Sequence, residues 1–149
     1  MRSRNGDNMI RVDIISVGTL KEKYLREACA EYEKRLSAYC NLHNLSFRGN
    51  SDIIPLISRR ALKIALCVEG KEISSEEFAK ELSNFAVSGE SHIQFVIGAS
   101  DGLPEEVKAA CDRRISFSKM TFPHQLMRVI LLEQLYRAFN INSGGKYHK

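Results

Sequence analysis

The chain has 149 residues, enough for one domain with a core of its own, and 44% hydrophobic with 27% charged residues exclude a disordered polyelectrolyte. No apolar run approaches the roughly 20 residues of a membrane-spanning helix, so a soluble protein without a membrane partner is expected. The net charge of +4 is uneven: residues 113–149 hold seven basic side chains against one acid, Glu133, whereas the remainder holds 15 basic and 17 acidic groups. Such an end suits either a polyanionic partner or a solvated face.

Met1–Asn8 are polar and lack the apolar stretch of a secretory signal, so they read as a flexible extension preceding a single domain over residues 9–149. Cys29, Cys40, Cys67 and Cys111 are scattered, with no CxxC or Cys/His cluster. They read as reduced thiols in a cytoplasmic protein, with no metal site.

Met9–Val17 is a β-branched run closed by Gly18 and fits a buried strand. From Lys21 to Cys40, apolar residues recur at steps of three or four and predict an amphipathic helix. Leu42–Phe47 reads as a second strand, and Arg48–Arg60, interrupted by Pro55, takes no assignment. Ala61–Val68 is a third strand, followed by a helix capped by Ser74 or Ser75 and running to about Ala86. Ile93–Ile97 is a fourth strand, succeeded by the loop Gly98-Ala99-Ser100-Asp101-Gly102 and by Pro104, which suits the first turn of a helix. A short strand at Ile115 and Ser116 leads through Phe117–Phe122 to a helix from Pro123 or His124 to Ile141. Strands alternating with helices predict an α/β fold with a mainly parallel sheet flanked by helices.

Ligands of such sheets bind beyond the carboxyl ends of the strands, where Gly98–Gly102 falls; the loop reads either as a ligand seat or as a tight turn. It lacks the GxGxxG spacing of dinucleotide sites, which counts against a redox module. In the last helix, Glu133, Gln134, Arg137 and Asn140 share a polar arc, with Glu133 and Arg137 at i,i+4. Arg128 falls roughly opposite, among His124, Leu131, Leu132, Leu135 and Phe139, so its guanidinium needs a carboxylate, carbonyl oxygens or a bound anion. The helix is apolar around most of its circumference, which a homodimer would satisfy. The tail Asn142–Lys149 reads as a frayed end or, through Tyr147 and His148, as a group that stacks on a base or takes a proton.

Three segments, VDIISVGTLKEKY, IQFVIGASDGL and ISFSKMTFPHQLMRVILLEQLYRAFNINSGGKYHK, resemble the SPOUT-class methyltransferases that modify N3 of a pseudouridine in large-subunit ribosomal RNA. The resemblance implies a C-terminal trefoil knot that forms an S-adenosylmethionine site, an obligate homodimer, and a substrate met on the assembled ribosome. By matching motifs it places Leu66, Gly98, Phe117, Ser118, Lys119, Met120, Thr121 and Phe122 at the cofactor. For methyl transfer to such a ring nitrogen, Arg128 is expected to orient or polarise the base, Tyr147 and His148 to close over the partner subunit's site, and His124 or His148 to accept the proton. Ala99 stands where the family carries a second glycine, and the stretch between the second and third strands is shorter than in the family. A knotted transfer RNA methyltransferase and a non-catalytic RNA-binding ribosomal factor are the competing expectations.

Overall fold

The computed structural model describes residues 9–99 and 101–148; the expected Met1–Asn8 extension lies outside the described residues. Five strands, β1 (Ile10–Val17), β2 (Cys40–Phe47), β3 (Leu62–Glu72), β4 (His92–Ile97) and β5 (Arg113–Ser116), form one sheet in the order β2-β1-β4-β3-β5. Every pairing is parallel, as the alternation with helices predicts. The helices are α1 (Lys23–Leu36), α2 (Ser75–Val87), α3 (Glu105–Ala110) and α4 (His124–Asn142).

Side chains alternate across the strands and so feed two cores. Val12 and Ile14 of β1, Ile64 and Leu66 of β3, and Ile93, Phe95 and Ile97 of β4 pack on one face against α1, α2 and α4. Ile15, Ala65 and Val96 point the other way, onto Phe47, Ile53, Leu103 and Val107. That second face has thin cover: α3 is six residues long, and two 3-10 turns, Asn50–Asp52 and Ile54–Leu56, occupy the Arg48–Arg60 stretch. Pro55 lies in the first turn of the second one, where its missing N–H costs nothing.

A buried amide secures this cover. Gln94 donates to Leu56 O at 3.0 Å and accepts from Ser58 N at 2.8 Å, and it also donates to Asp13 at 2.9 Å. Asp13 is fully buried and is held further by Arg11 Nε at 2.8 Å and His92 Nε2 at 2.6 Å.

Two boundaries correct the sequence expectations. Helix α1 ends at Leu36 rather than Cys40, because Cys40 pairs with Ile10 in the sheet and the Ser37 hydroxyl donates to Lys34 O at 2.6 Å, closing the last turn. Sheet pairing overrides the helical period there, and Tyr39 stacks on Phe139 instead, 5.6 Å between centroids. Strand β3 runs on to Glu72, slipping register against β5 between Leu66 and Lys71. The expected cap of α2 is present: Ser74 and Glu77 form a reciprocal capping box. Pro104 and Pro123 stand just before α3 and α4 as their N-caps.

Candidate cofactor cleft and C-terminal helix

The carboxyl ends of β3, β4 and β5 open into a cleft of about 750 Å³. Its walls are the bulge after Leu66, the loop after Ile97 and the segment after Ser116. Of the eight residues expected at a cofactor, Leu66, Gly98, Phe117, Ser118, Met120, Thr121 and Phe122 line it, and Lys119 does not. His124 also reaches the wall, from the first turn of α4.

The loops are held in shape by hydrogen bonds and ring contacts within the chain. Buried Ser116 donates its hydroxyl to Ser118 O at 2.7 Å, and Ser118 Oγ accepts from Met120 N at 3.0 Å, so two serines shape the segment from below. Phe117 meets Phe78 edge-on at 5.7 Å, and Phe78 meets Phe95 at 5.9 Å, which ties the segment to the core. At Gly98 a Cβ would lie 2.7 Å from the carbonyl carbon of Gly102, so only glycine lets the loop fold back on itself. Gly102 N donates to Ala99 O at 2.9 Å. The loop is therefore a tight turn, and it forms one wall of the cleft.

Among the described residues lining the cleft, the formally charged side chains are Glu69, Asp101 and Lys108. Lys108 of α3 pairs with Glu69, which sits in the β3 bulge, and lies 3.3 Å from Glu105. Each partner holds the other charged: the Lys108 ammonium lowers the Glu69 carboxyl below its usual range, and Glu69 raises Lys108. Sequence reading missed this pair, since 39 residues separate its members and no periodic signal links them. The thiols are displaced upward, chiefly by burial, Cys40 to about 12 and Cys111 to about 11, with Cys29 and Cys67 also raised. They stay protonated at neutral pH and offer no nucleophile.

Helix α4 buries Leu131, Leu132, Leu135 and Ala138 and packs against α1 and α2. Its polar arc is as predicted: Arg137 donates to Glu133 through Nε at 2.9 Å and Nη2 at 2.7 Å. The tail docks on this arc rather than fraying. Tyr147 donates its hydroxyl to Glu133 at 3.1 Å, its amide donates to Asn140 at 3.1 Å, and its ring lies under the Arg137 guanidinium at 4.8 Å. His148 spans Arg137 Nη1, 3.0 Å from its Nδ1, and Glu76, 2.7 Å from its Nε2. Arginine can only donate, so Nδ1 is the acceptor and the proton sits on Nε2 toward Glu76.

Of the partners expected for Arg128, neither a carboxylate nor a carbonyl oxygen is found among the described residues. Among the described residues it makes no ion pair, and its Nε is buried without a hydrogen-bond partner. Arg128, Tyr147 and His148 all lie outside the cleft lining within one chain, whereas His124 lies inside it.

A family profile described as "Predicted SPOUT methyltransferase" matches residues 10–148. The chain belongs to the SPOUT methyltransferase family. Its relatives include proteins named "Ribosomal RNA large subunit methyltransferase H" from Bifidobacterium adolescentis, 44% identical, Clostridioides difficile, 45%, and Bacillus thuringiensis, 48%. Each alignment covers 94% of this chain and 100% of the relative. It spans 159 residues, against 149 in this chain, in keeping with a shortened segment somewhere along it. Two solved structures share the fold at low identity. A probable methyltransferase from Bordetella pertussis has a TM-score of 0.63 at 12% identity, covering 87% of this chain and 95% of that one. A probable methylase family protein from Haemophilus influenzae has a TM-score of 0.60 at 13% identity, covering 93% and 70%.

Proposed function

We propose that this family member is an S-adenosylmethionine-dependent enzyme that methylates N3 of a pseudouridine in large-subunit ribosomal RNA, working as a cytoplasmic homodimer on the assembled ribosome. The observation that carries the reading is the 44–48% identity, over their full length, to proteins named as large-subunit ribosomal RNA methyltransferases. The cleft suits the cofactor: its volume of about 750 Å³ lies within the range of small-molecule sites, and its lining is mainly apolar with a few converging polar groups. When bound, the cofactor supplies a methyl group already activated by a sulfonium charge, so no metal is required.

A trefoil knot in the segment around β5 is part of the proposal. It rests on membership of the family, and it concerns the region where Gly70 and β5 approach so closely that a Cβ would lie 2.7 Å from the backbone of Ile115. The dimer is supported by α4, where Leu126 is 37% exposed and Ile130 is only partly buried.

Removing the N3 proton of a uracil-like ring places negative charge on the two flanking carbonyl oxygens. Arg128, a permanent cation with an unused buried donor, is suited to stabilise that charge and orient the ring. His124, on the cleft wall, is the proton acceptor, because the Nδ1 of His148 is engaged by Arg137 while the tail is docked. Tyr147 and His148, carried on α4, close over the partner copy's cleft.

The test is transfer of labelled methyl groups to ribosomes lacking the modification, with mass mapping of the product nucleoside. One N3-methylated pseudouridine in large-subunit RNA is expected. Label in transfer RNA, or none at all, would overturn the reading.

A further inference from the structure

Lys108 is the one permanently cationic side chain among the described residues lining the cleft. Its side chain is only 12% exposed, whereas its partners Glu69 and Glu105 are 53% and 80% exposed. Much of the Lys108 side chain is thus covered by the protein, while the carboxylates that neutralise it are the more exposed members of the cluster. Glu69 belongs to the bulge between Leu66 and Lys71, where β3 and β5 fall out of register, so no ladder pairing ties it to this position. Replacing one carboxylate by another at such a site conserves charge and leaves the lysine's burial unchanged.

We propose that Lys108 receives the α-carboxylate of the cofactor's methionine moiety, which displaces Glu69 from the ammonium. This rests on the reading of the cleft as an S-adenosylmethionine site. The chemistry requires such a partner, because a carboxylate entering a mainly apolar cleft must meet a cation or a set of N–H donors. Glu69 serves as a stand-in that keeps Lys108 neutralised and turns to water when the carboxylate of the ligand takes its place.

Calorimetry on the full chain tests this with two probes, S-adenosylhomocysteine and 5′-methylthioadenosine; the second shares the nucleoside but has no amino-acid carboxylate. For Lys108→Gln, affinity for S-adenosylhomocysteine falls at least about tenfold, the range of a charge-assisted hydrogen bond, while that for 5′-methylthioadenosine stays within about twofold. Glu69→Gln removes the competitor and binds S-adenosylhomocysteine as tightly as the native chain or more tightly. If both probes weaken equally in Lys108→Gln, if neither weakens, or if Glu69→Gln weakens S-adenosylhomocysteine like Lys108→Gln, the pair only clips α3 to β3 and the proposal fails. If the native chain binds S-adenosylhomocysteine but the variants behave in one of those ways, the cofactor reading survives. A native chain that binds neither probe overturns both.

Discussion

Tyr147 donates its hydroxyl to Glu133, fourteen residues back along the chain, and thereby turns the last few residues into part of the α4 surface. The same carboxylate takes two donors from Arg137, whose guanidinium covers the Tyr147 ring. One acid therefore organises both the helix arc and the tail. Tyr147→Phe keeps the ring contacts and loses only the hydroxyl, so thermal unfolding should register a loss of about 1 kcal/mol. Deleting residues 147–149 should leave S-adenosylhomocysteine binding within about twofold and lower methyl transfer to ribosomes at least about tenfold, by loss of positioning. Unimpaired transfer would remove the tail from the reaction.

For Arg128 the effect on folding can be separated from the role proposed for it in the reaction. Its Nε is buried and unpartnered, so within one chain it contributes desolvation cost rather than a bond. Arg128→Met, which retains most of the stem, should match or exceed the native chain in denaturant stability and yet reduce methyl transfer about a hundredfold. A large loss of stability in the monomeric species would identify the arginine as structural.

Phe78 links the core to the cleft. It is 2% exposed and meets both Phe95 and Phe117 edge-on. Phe78→Ala should cost about 3–5 kcal/mol in urea unfolding. Phe78→Leu, a milder change, should stay folded while weakening S-adenosylhomocysteine binding in calorimetry, because Phe117 loses its abutment. Native affinity in the leucine variant would show that the serine hydrogen bonds hold the segment unaided.

Asp13 makes stability depend on acid. Burial pushes its carboxyl upward, but the bonds from Arg11, His92 and Gln94 outweigh this and leave it below the ordinary 3.8. A carboxyl whose folded-state pKa is depressed contributes stability that is complete above the unfolded value and declines as pH falls through the folded one. Chemical denaturation across acid pH should therefore show a loss of stability setting in below about 3.8. Asp13→Asn should be less stable at neutral pH and show a shallower decline in that window; an unchanged slope would assign the acid sensitivity to other groups.

Gly98 tests the geometry of the second cleft wall. Gly98→Ala would bring a methyl group 2.7 Å from the Gly102 backbone, so the loop must move. Affinity for S-adenosylhomocysteine should drop at least about tenfold, a loss of roughly 1.4 kcal/mol or more. Retained affinity would show that the loop has room to shift without disturbing the cleft.

What the sequence alone determined was local or periodic. The five strands, a serine cap on α2, the Glu133–Arg137 pair and the loop after Ile97 follow from spacings of a few residues, whereas Leu66 and the segment after Ser116 were placed at a cleft by resemblance to the family. The stretch between β2 and β3, interrupted by Pro55, carries no assignable pattern, and its two 3-10 turns are seen only in the folded chain. The tertiary structure decided what depends on residues far apart. The end of α1 moved because Cys40 pairs with Ile10, the tail docked because Glu133 and Arg137 present partners to Tyr147 and His148, and Lys108 found Glu69 across the cleft. Arg128 shows the boundary between the two. Helical spacing placed the charge on an apolar face, but only the folded chain showed that no internal partner meets its Nε. Periodicity says which way a side chain points, and what it meets there is set by elements the local pattern does not encode.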